Sequence, residues 1–241
     1  MRPVSKGASP VEGEFKKYQD AKPDLISRLG AYCSYCERKI PTLLAVEHIE
    51  PKSLKPGLEK NWSNFLLACT NCNSCKGDAP VDLQKLLLPD RDNTFEAYTY
   101  EDDGAIVPSH QLIAAQKALA LETLKLVGLD KPIQGYRDAN DQMVSLDRPS
   151  QRMEVLMSAQ NALNNFNMAP IDPMKDIIVE LALSTGYFSI WMRVFDAVPE
   201  MKVRFIEAFN GTRQSGCFDM TNGSVFCPAP NPDSLKRGGK V

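Results

Sequence analysis

Two pairs of cysteines, Cys33-Ser-Tyr-Cys36 and Cys69-Thr-Asn-Cys72, bracket a stretch that holds Glu47-His48, and His48 is one of only 2 histidines in the sequence. A C-x-x-C turn aims two thiolates at one point, and two such turns supply the four sulfurs of a tetrahedral zinc shell. A closed shell leaves no position for water or substrate. This zinc is therefore expected to be structural and to stabilise a segment too short for much core of its own. Cys72 and Cys75 form a further C-x-x-C pair, and spacing alone does not choose between it and Cys69 with Cys72. Cys217 and Cys227 have no further ligand types nearby and are read as small buried residues.

The segment between the knuckles carries a different chemistry, in Val46-Glu47-His48-Ile49-Glu50-Pro51. Neutral imidazole is the side chain best suited to take a proton from water near pH 7, and a carboxylate beside it can hold a hard divalent ion. Asn64, in the run Asn61 to Cys69, and Asn73, directly after the second knuckle, offer amide oxygens as ligands or as hydrogen-bond orienters. His110, the other histidine, stands at the start of a helical pattern and is read as structural.

Positioning these groups requires short elements. The apolar run Leu43 to Val46 enters Glu47-His48 and meets Pro51, which predicts a strand ending at a charged loop. Phe65 to Ala68 is a second apolar run, and the two predict a hairpin with the cysteine pairs at its base. Before it, Pro23-Asp24 suits the first turn of a short helix, Leu25 to Leu29, stopped by Gly30. Residues 1 to about 22 mix Gly, Pro and Ser with charges and are expected to be an irregular arm lying over the surface. Residues 94–108 alternate aromatic and polar side chains around Asp103-Gly104, the pattern of another hairpin. Helical periods follow at 111–127, 149–166, 173–185, 187–197 and 199–209, before a tail rich in Pro, Gly and Asn. The expected fold class is α+β, with residues 1–108 as arm and zinc-stabilised ββα-metal domain and residues 109–241 as a mainly α-helical domain.

Composition limits the partners. The 241 residues, 43% hydrophobic, are ample for a core. With 28 Lys+Arg against 30 Asp+Glu, the chain lacks the basic excess that non-specific nucleic-acid affinity draws on, so any such grip is local or borrowed from a partner. No apolar run approaches the roughly 20 residues of a membrane span, and the first residues lack the apolar core of a signal peptide. Five of the 7 cysteines lie between Cys33 and Cys75, which suits metal binding in a reducing compartment, and the chain is read as cytoplasmic.

Taken in order, Cys33 to Cys36, Glu47-His48-Ile49-Glu50-Pro51, Asn64 to Cys69 and Cys72-Asn73-Ser74-Cys75-Lys76-Gly77-Asp78 resemble the HNH, or His-Me finger, endonuclease family. Its zinc-bound members read C-x-x-C, then D/E-H-I-x-P, then N-x-L-x-x-C-x-x-C-N-x-x-K. The resemblance implies that Cys33, Cys36, Cys69 and Cys72 bind zinc and that Cys75 is a spare thiol. It implies His48 as general base at a strand end, Asn64 bracing the loop, and Glu47 with Asn73 holding one Mg²⁺ or Mn²⁺. Lys76 would grip a neighbouring phosphate. Glu47 is one methylene longer than the commoner Asp, which loosens the implied metal geometry, and the absence of extra histidine ligands favours Mg²⁺ or Mn²⁺ over a transition metal.

Arg2-Pro3-Val4-Ser5-Lys6, then Leu25-Ile26-Ser27-Arg28-Leu29-Gly30-Ala31-Tyr32-Cys33 and a helical extension, resemble the layout of the PtuB family, nuclease subunits of the Septu anti-phage system that also accompany certain retrons. This implies a PtuA-like ATPase partner with ABC/SMC-type heads and a hetero-oligomer. The cluster Gly186 to Phe195 is read as core, with a protein-docking surface as the alternative. The leading function is thus a DNA endonuclease of a defence complex. An RNA endonuclease, acting for example on tRNA, uses the same site, because phosphodiester chemistry does not require deoxyribose. A non-catalytic zinc-knuckle adaptor is the reading from another class.

Overall fold

A computed structural model describes residues 1–131, 139–140 and 148–241. A 3₁₀ turn at Tyr18–Ala21 leads into helix α1, Lys22–Leu29, which ends where Gly30 takes a left-handed φ of 75°. Strand β1, Ala45–His48, pairs antiparallel with β2, Phe65–Ala68, in a register that sets His48 opposite Phe65 and Glu47 opposite Leu66. Helix α2, Thr70–Lys76, follows β2 directly, so β1, β2 and α2 make a ββα unit. All four residues of β2 are buried, because α1 covers the hairpin on one side and α2 approaches β1 on the other.

The remaining elements follow the sequence pattern with shifted ends. The predicted hairpin at 94–108 begins with a helical turn, α3, Thr94–Ala97, because Asn93 caps it by accepting from the Glu96 amide. Only Tyr98–Tyr100 and Ile106–Pro108 pair, as β3 and β4. Among the described residues, α4 Ala114–Leu126, α5 Arg148–Met168, α6 Asp172–Thr185, α7 Phe188–Val194 and α8 Pro199–Ala208 follow. Of these, α4, α7 and α8 are shorter and α5 and α6 longer than the periodicity predicts. No helix among the described residues is long and apolar enough to cross a membrane.

The apolar core runs across the expected boundary near residue 108. Phe95 meets Phe188 and Phe218 edge-on, and Tyr32 lies against Phe209. The turn between α6 and α7 presses on the first knuckle, where a Cβ on Gly186 would sit 2.5 Å from the Glu37 carbonyl oxygen. Glu37 itself accepts from Tyr100 Oη at 2.9 Å and from the Ser189 amide and hydroxyl at 2.8 and 2.6 Å. Phe188, Trp191, Met192 and Phe195 are fully buried, so the aromatic cluster at 186–195 is core and offers no docking surface.

The first residues also differ from the expected surface arm. Met1, Arg2, Val4 and Lys6 are buried. Arg2 donates to the Leu29 and Asn210 carbonyls, and Lys6 Nζ donates to the Phe65 carbonyl at 2.6 Å and to Asp90 at 2.9 Å. Burial would push the Asp90 carboxyl up, but Lys6 and Arg91 beside it hold it at about 2. A charge placed inside persists only when paired in this way, which is why the arm threads through the core on matched polar partners.

Candidate active site and zinc centre

The two knuckles converge. The sulfurs of Cys33, Cys36, Cys69 and Cys72 all lie within 4.8 Å of one another, and all four residues are buried. Cys36 Sγ and Cys69 Sγ are 3.7 Å apart. A tetrahedron with zinc–sulfur bonds of about 2.3 Å has an edge of about 3.8 Å, so the Cys36–Cys69 pair has the spacing of a zinc shell and the cluster of four fits one. Local backbone explains the convergence. Cys69 is the N-cap of α2 and its sulfur accepts from the Cys72 amide at 3.5 Å, while the first knuckle closes through Glu37 N to Cys33 O, with Glu37 at a φ of 63°. Ser34 N donates to Leu67 O at 2.8 Å and fastens that knuckle to β2. Arg148, from α5, donates to Cys72 Sγ at 3.4 Å and sets a cation beside the thiolate cluster.

The geometry resolves the choice that spacing left open. Cys75 lies outside the cluster, half-buried, with Lys131 Nζ donating to its sulfur at 3.4 Å. Cys217 is buried as expected, whereas Cys227 is exposed. His110 is exposed in the turn before α4 and joins no metal-ligating group among the described residues.

His48 stands at the end of β1, half-buried. Its ring is held edge-on between Tyr18, 4.8 Å away by centroids, and Phe65, 5.3 Å away. Nε2 lies 2.8 Å from the carbonyl oxygen of Glu59. A carbonyl oxygen only accepts, so Nε2 carries the hydrogen and Nδ1 is left with the lone pair of a base. Burial pushes the His48 pKa below its ordinary value, with Lys52 and Lys76 acting in the same direction and the Glu59 carbonyl opposing them.

Asn64 braces the loop that follows. Its Oδ1 accepts from Glu50 N at 2.8 Å, and its Nδ2 donates to Glu50 O at 2.9 Å and to Leu58 O at 3.3 Å. Because Leu58 precedes Glu59, this amide fixes the carbonyl on which the His48 ring rests.

Glu47 points to the other face of β1 and is 2% exposed. Lys76 Nζ lies 2.8 Å from its Oε1, an ion pair closed off from solvent. Burial raises the Glu47 pKa and Lys76 pulls it back. The same ammonium donates to the His48 carbonyl at 2.7 Å. Lys76 is thus buried and turned inward, away from the position a phosphate grip would need. Asn73, one turn before it on α2, is half-buried and its side chain has no hydrogen-bond partner among the described residues. A carboxylate and an amide oxygen are both hard donors of the kind Mg²⁺ or Mn²⁺ takes, and Lys76 at 2.8 Å is the cation such an ion would share Glu47 with.

Sequence reasoning missed two residues around His48. Tyr18 packs on the ring, and Lys52 Nζ sits 4.5 Å above the Tyr18 ring centroid. Nothing in the spacing of Tyr18 links the arm to the Glu-His pair, whereas Lys52 directly follows Pro51 and is the next cation along the chain after His48.

Residues 33–79 match the family described as HNH endonuclease. No curated protein matches the chain. The matched segment begins at Cys33 and ends just after α2, so it contains His48, Glu47, Asn64, Asn73 and all four clustered cysteines, and it supports nuclease activity.

Proposed function

We propose that the chain is a metal-dependent HNH endonuclease that hydrolyses phosphodiester bonds of nucleic acid, with His48 as general base and with Glu47 and Asn73 as ligands of one Mg²⁺ or Mn²⁺. The observation that carries this reading is the His48 ring, which donates from Nε2 to the Glu59 carbonyl and keeps Nδ1 as an acceptor. A neutral imidazole with that tautomer fixed is a base poised for water. In the reaction, Nδ1 takes a proton from the water that attacks phosphorus in line, while Asn64 keeps the supporting loop in register. Glu47 and Asn73 would hold the metal, which when bound supplies charge stabilisation at the phosphate and the departing 3′-oxygen. The buried zinc cluster fixes the angle between the hairpin and α2, and with it the relation of Glu47 to Asn73.

DNA is the favoured substrate and RNA the alternative. The arm at residues 2–6 and the run Leu25 to Cys33 support a PtuB-like effector of an anti-phage complex, with a PtuA-like ATPase that controls when it acts. The near-balanced charge agrees with a subunit that receives its substrate from a partner. A second reading, a zinc-knuckle adaptor without catalysis, is favoured by one observation: Lys76 already neutralises Glu47.

A mixed pool of plasmid DNA and total RNA, incubated with the zinc-loaded protein in Mg²⁺ or Mn²⁺, tests the reading, with and without a co-expressed ATPase. Consumption of DNA first is expected. Consumption of RNA alone would move the substrate to RNA, and an inert protein under every condition would favour the adaptor.

A further inference from the structure

A phosphodiester under attack gains negative charge on its non-bridging oxygens, and a cation beside the base lowers the cost of that charge. Lys76 cannot serve, because its ammonium is buried between Glu47 and the His48 carbonyl. Lys52 is placed differently. Its side chain is 46% exposed, and its ammonium lies 4.5 Å from the centroid of the Tyr18 ring, which itself packs 4.8 Å from His48. Among the described residues it makes one ion pair, a loose one to Glu59, 3.9 Å away and likewise exposed. Exposed contacts of both kinds are weak, so an incoming phosphate can claim this cation without breaking the fold. Lys52, Tyr18, His48 and Glu59 form a closed ring of contacts, since the Glu59 carbonyl holds His48 and the Glu59 carboxylate faces Lys52. The arm therefore delivers one aromatic ring that touches both the base and the cation.

We propose that Lys52 contacts a non-bridging oxygen of the scissile phosphate, and that Tyr18 is the positioning residue that seats this ammonium beside His48. The proposal rests on the nuclease reading above and assigns the phosphate contact that Lys76 does not make.

Cleavage rates of the zinc-loaded full chain on plasmid, measured at several salt concentrations in Mg²⁺ or Mn²⁺, test it with Lys52→Ala, Lys52→Gln, Lys52→Arg, Tyr18→Phe and Tyr18→Ala. Lys52→Ala and Lys52→Gln should lose about tenfold or more in kcat/KM and flatten the slope of log kcat/KM against log salt by about one, as the loss of one phosphate contact requires. Lys52→Arg should recover most of the rate and the slope. Tyr18→Phe, which keeps the ring, should behave as wild type, and Tyr18→Ala should follow Lys52→Ala with zinc content unchanged. A purely structural role for Lys52 would leave the salt slope intact. Lys52 variants that cleave as wild type at every salt overturn this proposal alone, as does a loss that Lys52→Arg does not recover. A wild-type protein that cuts nothing overturns the nuclease reading and this proposal together.

Discussion

Lys76 Nζ lies 2.8 Å from Glu47 Oε1, beneath the hairpin and out of solvent, and its second contact is the carbonyl of His48. One ammonium therefore ties the implied metal ligand to the backbone of the implied base. Breaking a buried pair by removing one partner leaves an uncompensated charge and typically costs about 3–5 kcal/mol. Lys76→Met should be destabilised by that order in urea unfolding without divalent metal. If Glu47 also holds Mg²⁺, added Mg²⁺ should stabilise Lys76→Met more than wild type, because the ion replaces the lost counter-charge. Equal stabilisation of the two would argue against Glu47 as a ligand.

Zinc removal should unmake the hairpin before the helical half. The four sulfurs come from two segments far apart along the chain, and a zinc between them would add a direct bond from one knuckle to the other. Cys36→Ser should lose stoichiometric zinc and fail to cleave, whereas Cys75→Ser should keep both, since Cys75 lies outside the cluster. Zinc content by mass spectrometry under native conditions checks this, and zinc loss in Cys75→Ser would contradict it.

That cysteine pairs would gather at one metal was legible from residue type, but spacing left Cys72 with Cys75 open, and only the family resemblance and then the fold chose Cys69 with Cys72, while the ββα order was legible because β2 is an unbroken apolar run. Boundaries shifted where a cap decided them, as at Asn93 and α3. The arm was not legible. Arg2 and Lys6 are charged residues that composition assigns to the surface, and their burial depends on the Leu29 carbonyl, Asn210 and Asp90, partners distant along the chain. Lys76 was misplaced for the same reason, since its partner Glu47 sits on another element. The Tyr18–His48 contact likewise exists only after the arm folds back.

Asn64→Ala should remove three hydrogen bonds from the loop after β1 and cost about 1–3 kcal/mol, the penalty for leaving buried partners unpaired. Because the Glu59 carbonyl then loses its support, cleavage should fall by more than the stability change explains at a temperature where the variant stays folded. Asn64→Asp should not rescue it, since a carboxylate cannot donate to the Glu50 and Leu58 carbonyls. Full activity in Asn64→Ala would contradict the bracing role.

The pH dependence follows from the lowered His48 pKa. Its base form should persist below the ordinary value of about 6.5, so the acidic limb of kcat/KM should lie under pH 6.5. The same shift has a sign for stability. Below about 6.5 the unfolded chain binds this proton more readily than the folded one, so the His48 contribution falls as pH drops from 6.5 through the folded value, and above 6.5 it is fully present. A pH–rate profile checks the limb, and an acidic limb above pH 6.5 would contradict the assignment.

Plasmid nicking by wild type and His48→Ala, both verified to hold zinc and to fold, in Mg²⁺ or Mn²⁺, decides whether His48 is the base. Wild type should nick, and His48→Ala should lose about a hundredfold or more in rate, the scale on which a general base acts. Equal nicking by the two proteins would contradict His48 as the base and remove the chemistry from this site.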